Sequence, residues 1–488
     1  MGNLNLFMPA GHARYQPKSL AQHFGYDFAY YGLACVEFAN LEVLGDLGVI
    51  PPTSMQHLTP EIREQILGIP ATTVDKTERE ITGHDVRAWI HEAQRILNPE
   101  LGRWLHLLLT SYDSLDTGRI LQYVTAHQQV VRPKTVSIIK IMADLVEKHA
   151  GQLQIGRTHG QHALPITVGF WLATILSRMV YNFTQMDINA NALTGKVSGA
   201  VGAYNAQAGL GISALCAGGL TFEERVLAKV GLKPAPISTQ ILPLEPLAYY
   251  LHACMWLSQA YGQLGTDGRN LMRSEIAEIA EASTVAVQVG SSTMAGKINP
   301  FKFEGLVGEA INTEVDYHRV PRVGISEHQR DLVGSRPSRR FPEIIISLVT
   351  QEDELLRAKE DEEPFLTRLI VKPENCQRNF DQSAHMITGE PLYIALQMAG
   401  YEGDAHDLVN KVIAPLARMS HRNLIEELED FADRDSDFEY LDSVRKALDM
   451  MPSEVKELLH HPEQYVGCAQ EKAQQIADNA REVVHDRS

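Results

Sequence analysis

Four polar clusters carry residue types and spacings that could do chemistry. GSSTMAGKINP, residues 290–300, sets Ser291 directly after a glycine, with Lys297 and Asn299 close behind and Pro300 ending the run. GHDVRAW (83–89) holds His84 and Asp85, LTSYDSLDTG (109–118) holds Thr110 and Ser111, and IGRTHGQHALP (155–165) holds Thr158 and His159. A serine, a histidine and a lysine with no visible metal or cofactor motif best suit abstraction of a weakly acidic C–H proton beside a carboxylate, followed by expulsion of a leaving group. The cation would stabilise the dianionic carboxylate that develops, and the histidine would protonate the departing nitrogen or oxygen. Serine is a poor base at its ordinary pKa. Its ionisation needs nearby N–H groups and positive charge in a site closed to water.

Each cluster also has a plainer reading. A Gly-Ser-Ser-Thr run by itself is an ordinary flexible loop, and His-Asp also serves as a helix-start pair. A single histidine among 19 is more often structural, and three arginines at 336, 339 and 340 can form a solvated salt-bridge face. His460, His461 and Cys468 match no common zinc spacing, so no metal is expected.

The elements that must position these clusters read as helices. Apolar residues recur at three- and four-residue spacing over 117–153, interrupted by Pro133, which predicts one long helix with a single kink. Two further segments, 165–193 and 243–282, read the same way; helices of roughly 30 residues would be about 45 Å long. Their apolar positions fill more than a narrow stripe, so each needs cover on several sides, as in a bundle shared between subunits. Strand signals are thin, and the clusters fall at helix ends or in connections. The expected class is therefore all-α. Breaks near 112–118 and 362–374 divide the chain into an N-terminal helical domain (1–116), a central long-helix domain (117–365) and a C-terminal helical domain (366–488), the last a solvated helical cap.

Composition narrows the partners. The 488 residues carry a net charge of −17, from 44 Lys plus Arg against 61 Asp plus Glu, which disfavours nucleic acid and anionic membranes. A small anion can bind only where basic residues are concentrated. Five scattered cysteines without a CxxC pair suggest a reducing compartment. With no targeting segment and no apolar run of about 18 residues, a cytoplasmic location is expected.

GSSTMAGKINP resembles the signature loop (286–300) of the fumarase/aspartase superfamily, G-S-S-x-M-P-x-K-x-N-P, and RTHGQ and TSYD-x-x-DT resemble two further shared blocks. Within that group the chain is most similar to the adenylosuccinate lyases, through His84-Asp85-Val86, RTHGQHA, SGAVGAYNA (198–206) and STQILP (238–243). The resemblance covers roughly residues 10 to 345. It implies an all-α homotetramer with a central bundle of long helices, active sites shared by three subunits, and no cofactor. It also implies release of fumarate from adenylosuccinate and its imidazole carboxamide analogue, SAICAR, in purine nucleotide biosynthesis.

By the same resemblance Ser291 is the general base, with Lys297 and Asn299 holding the succinyl carboxylate. His159 is the general acid, oriented by Glu304. Thr110, Ser111, Thr158 and Gln240 position the succinyl part, His84 assists near the phosphate or leaving group, and Asp85 is a further substrate-binding residue. EHQRDLVGSRPSRRF (327–341) supplies Arg330, Ser335 and Arg339 as phosphate and ribose contacts, joined by Arg14 and Tyr15. A bidentate guanidinium suits phosphate. The chain departs from the pattern at Ala295 and Gly296, where proline and a ring-bearing residue are usual, at His162, where proline is usual, and at Gly334, where aspartate is common. These departures leave open a fumarate-releasing lyase with a non-nucleotide succinyl substrate, and also a catalytically silent structural paralogue.

Overall fold

A computed structural model describes residues 16–282, 294, 297–359, 362–434 and 437–486. Its principal elements in chain order are α1 (Tyr31–Asp46), α2 (Asp85–Ile96), α3 (Ser111–Ala126), α4 (Arg132–Lys148), β1 (Leu153–Thr158), β2 (Gln161–Thr167), α5 (Val168–Asn191), α6 (Glu245–Leu271), α7 (Phe301–Tyr317) and α8 (Pro342–Leu355). Further helices follow to Asp486. The chain is all-α, as the periodicity predicts. Among the described residues, strand pairing is confined to the β1–β2 hairpin and two pairings of two residues each.

The long helices differ in detail from their sequence expectation. The single kinked helix over 117–153 is two helices, α3 and α4, joined by one wide π-turn at His127–Val131. Pro133 explains it: the ring has no N–H to give to the carbonyl four residues back and crowds that carbonyl, so the backbone widens just before it. Buried His127 anchors this turn, its Nε2 3.3 Å from Asp187 Oδ1, which also accepts from Arg132 Nε at 3.0 Å. Residues 165–167, expected to open the next helix, belong to β2. The third helix ends at Leu271 rather than near 282; Ala277 takes a positive φ of 51° and the chain turns away.

Two compact units are built from interleaved segments. The first comprises residues 1–137, 181–262 and 305–356, and the second 138–180, 263–304 and 357–488. In the first unit α1 packs on α3 backbone to backbone: a Cβ on Gly32 would stand 2.2 Å from the carbonyl oxygen of Gly118, so only glycine permits the approach. Phe183, Tyr250 and Tyr261 are wholly buried there. Glu352 on α8 is also wholly buried, its Oε1 2.6 Å from Thr135 Oγ1 and accepting from Tyr261 at 3.3 Å. In the second unit Ile138, Met142, Leu172 and Leu176 are fully buried. Gly268 on α6 brings Phe303 onto its backbone, since a Cβ there would meet the ring at 2.6 Å. The acidic C-terminal segment is more than a solvated cap: Leu392, Leu396, Ile413, Leu428, Val444 and Leu459 form an apolar core within it.

Candidate active site

In the first unit the TSYDSLDT block opens α3. Thr110 N–H donates to Asp113 Oδ2 at 2.8 Å, which fixes the first turn. Asp113 and Lys196 are fully buried and form an ion pair. Asp113 also accepts from the N–H groups of Ser198 (3.1 Å) and Gly199 (3.2 Å). Thr117, one turn on, exchanges hydrogen bonds with the backbone of Lys196 at 2.8 and 2.9 Å. The loop SGAVGAY is therefore tied to α3 by a carboxylate whose oxygens are saturated with donors, the condition that makes a buried charge tolerable. Gly202 carries the close passage of this loop past Ser238: φ is +75°, and a Cβ would stand 2.1 Å from the Ser238 carbonyl oxygen.

Beside this frame lies a cavity of about 700 Å³, bordered by Asp85, Tyr112, Asp116, Arg119, Arg330, Ser335 and Arg339 among others. Arg330 donates to Gln240 Oε1 at 3.0 Å. Asp116 accepts from the N–H of Leu242 at 3.1 Å. Burial pushes the Asp116 carboxyl above the usual carboxylate range, against the opposing pull of Arg119 and that N–H. At the start of α2 the His84 Nδ1 lies 3.3 Å from Asp85 Oδ1, with the ring half-exposed. Arg119 lies 3.6 Å from Asp116, while Arg330 and Arg339 add further guanidinium groups to the lining that suit a ligand with an anionic end.

In the second unit β1 and β2 form an antiparallel hairpin whose tip is Thr158-His159-Gly160-Gln161. His159 and Gly160 both take positive φ, 54° and 75°, the geometry of a two-residue hairpin turn. All four tip residues are exposed, and no hydrogen bond engages the His159 ring among the described residues. The hairpin body is held by buried Glu278, which accepts from Arg157 at 2.7 and 3.2 Å, from Gln154 at 2.8 Å and from Asn379 at 2.9 Å. His162, at a departure from the family pattern, has its Nδ1 2.8 Å from Ser383 Oγ, and burial lowers its pKa.

Glu281, three residues beyond Glu278, accepts from the N–H groups of Lys302 (3.0 Å) and Phe303 (3.2 Å). A carboxylate there satisfies free donors at the start of α7 and suits its dipole. The described segments flanking the signature loop, at Glu281 and at Lys302–Phe303, are thus fastened to each other. Lys297 is exposed, Asn299 is partly covered, and Glu304 is exposed on the first turn of α7. No hydrogen bond joins Glu304 to His159 within one chain. Ser291, Arg14 and Tyr15 lie outside the described residues.

Of the residues read from the sequence, His84, Asp85, Thr110, Ser111, Gln240, Arg330, Ser335 and Arg339 fall in the first unit, and Thr158, His159, Lys297, Asn299 and Glu304 in the second. Sequence reasoning quoted Tyr112, Asp113 and Asp116 in the TSYD-x-x-DT block without giving them roles, and passed over Lys196, Glu278 and Glu281. The i, i+4 spacing of Tyr112 and Asp116 on one helix face could have flagged those two. Nothing local distinguishes Glu278 and Glu281 from surface glutamates.

Comparisons with known proteins bear on the family and the fold. A family model described as lyase matches residues 69–313. The adenylosuccinate lyase of Pyrococcus horikoshii is 30% identical over 454 residues, spanning 92% of each chain. The N-acetyl-S-(2-succino)cysteine lyase of Dickeya dadantii is 29% identical and spans 77% of this chain and 78% of its own. Among solved structures, 3-carboxy-cis,cis-muconate lactonizing enzyme from Pseudomonas putida matches with a TM-score of 0.78 at 19% identity, covering 96% of this chain and 98% of that one. That last likeness speaks to the fold alone.

Proposed function

Since the chain belongs to this lyase family, we propose that it is an adenylosuccinate lyase, which cleaves adenylosuccinate and its imidazole carboxamide analogue by β-elimination to fumarate and the free amine. The observation that carries the reading is the cavity that Asp85, Arg330, Ser335 and Arg339, drawn from two distant blocks, all border. Three guanidinium and hydroxyl groups there suit a nucleotide phosphate, which Arg14 and Tyr15 would also meet. Thr110, Ser111, Thr158 and Gln240 would orient the succinyl arm, with Lys297 and Asn299 on its carboxylate.

In this mechanism Ser291 takes the proton beside the carboxylate while Lys297 stabilises the charge that develops. His159, presented at a hairpin tip with its ring toward solvent, delivers the proton to the leaving nitrogen, and His84 assists at the leaving group. Glu304 would reach His159 across a subunit boundary, because both side chains are exposed and unjoined within one chain. A homotetramer is supported by Tyr181, Tyr249, Trp256, Ile311 and Val315, apolar side chains on the long helices that are between 45% and 66% exposed. Among the described residues no helix is long and apolar enough to cross a membrane. The reading is of a cytoplasmic, cofactor-free enzyme acting on a small molecule.

The test is fumarate release from adenylosuccinate by the purified protein, followed as loss of ultraviolet absorbance. Turnover should fall at least about 1000-fold in Ser291→Ala, as expected when an essential base is removed. A folded protein inert toward adenylosuccinate would reject the reading. The Dickeya dadantii relative, together with Ala295 and Gly296 in the loop, supports a second reading: the same elimination on a non-nucleotide succinyl compound. Activity on such a compound that survives Arg339→Ala would favour it.

A further inference from the structure

Tyr112 sits at a hub of the cavity wall. The guanidinium carbon of Arg330 lies 3.4 Å from the centroid of its ring, and that of Arg119 lies 5.9 Å away. Its phenol oxygen is 3.3 Å from Ser335 Oγ. Tyr112, Arg119, Arg330 and Ser335 all border the same cavity.

A guanidinium stacked on a ring spends its face on the ring and keeps its N–H edge for oxygen acceptors. One of the five N–H groups of Arg330 goes to Gln240, which leaves others for a ligand. A free arginine would lose rotamer entropy on capturing an anion; one already stacked has lost it beforehand. The Ser335 hydroxyl is held by the same phenol. Asp116, one turn along α3, ties the loop carrying Gln240 to the same helix through Leu242 N–H. The helix therefore acts as a jig for an N–H edge and a hydroxyl, the donor set that an oxyanion takes.

We propose that Tyr112 is a positioning residue that sets selectivity for a phosphorylated leaving group, acting through Arg330 and Ser335. The identity of the ligand rests on the nucleotide reading above; the role of Tyr112 in holding an oxyanion subsite does not.

The test compares binding of adenosine monophosphate and adenosine by calorimetry to wild type, Tyr112→Leu and Tyr112→Phe. Tyr112→Leu should weaken the monophosphate about tenfold, as loss of a partly desolvated cation–π contact predicts, and leave adenosine within about twofold. Tyr112→Phe keeps the stack and should recover most of that loss. In the absence of added nucleotide, KM for adenylosuccinate should rise in parallel in Tyr112→Leu while kcat stays within about threefold. Equal weakening of adenosine, or a phenylalanine variant no better than leucine, would overturn the proposal. If wild type neither binds the monophosphate nor cleaves adenylosuccinate, the nucleotide reading fails and inorganic phosphate decides: binding that weakens in Tyr112→Leu keeps the role of Tyr112, and binding that is undetectable or unchanged removes it. Should Tyr112→Leu fail to fold, Tyr112→Met, which fills similar space without a ring, serves in its place under the same criteria.

Discussion

At the scale of residues, the acids that matter most to the architecture are those that touch backbone N–H groups or a buried cation. Glu278 gathers Arg157, Gln154 and Asn379 around one fully buried carboxylate, and so holds the stem of the hairpin that presents His159. Removing one partner of a buried pair leaves the other charge unmatched, which costs about 3–5 kcal/mol. Glu278→Ala is expected to lower stability by that amount in denaturant unfolding. A loss below about 1 kcal/mol would mean that the hairpin stem is held by other contacts. These roles were hidden in the sequence because a clamp depends on partners over a hundred residues away, whereas His159 is singled out by the Thr and Gln that flank it, and its acid role stands as a proposal. The turn type was also hidden: histidine accepts a left-handed backbone less readily than asparagine, so His-Gly gives a weaker hairpin signal than Asn-Gly.

At the scale of elements, α8 carries a titratable group into the core. Burial raises the Glu352 carboxyl to about 8, opposed by Thr135, Lys134 and Tyr261. A carboxyl with an ordinary value of 4.5 when unfolded then holds its proton longer in the folded state. Its contribution to stability is complete below about 4.5 and is lost as pH rises toward about 8. Stability should therefore fall over that window, by at most about 1.4 kcal/mol per pH unit from this group. Glu352→Gln, which keeps the shape and removes the charge, should flatten the slope in thermal melts across pH 5 to 8. An unchanged slope would assign the pH dependence to other groups. The kink between α3 and α4 was legible from Pro133, but its form was not, since proline dictates a missing N–H and a clash without saying whether the backbone bends or widens.

At the scale of the molecule, the exposed apolar residues on the long helices are the ones that a monomer cannot cover. Ile311 and Val315 stand one turn apart on α7, both more than half exposed. Replacing both with glutamate places like charges where an apolar contact is proposed, so the double variant should sediment as species smaller than the wild type and lose most of its activity, because the sites are proposed to be shared. A tetramer that survives would locate the interface on another face. The helical class and the need for lateral cover were readable from periodicity, because apolar spacing reports which sides of a helix are wet.

Residue type and order alone determined the helical class and the lyase family, and they carry the proposed acid–base roles and the block whose Arg330, Ser335 and Arg339 border one cavity, since each is a local pattern whose spacing constrains geometry within a turn or two. Folding decided what joins those patterns: the Asp113–Lys196 pair, the hairpin held by Glu278, the fastening by Glu281 of the segments flanking the signature loop, and the stack of Tyr112 on Arg330. Each joins segments distant in sequence or turns on a change of element, and the energy of a buried charge or a stacked cation depends on how completely water is excluded. That exclusion is a property of the packed chain and has no counterpart in the order of its residues.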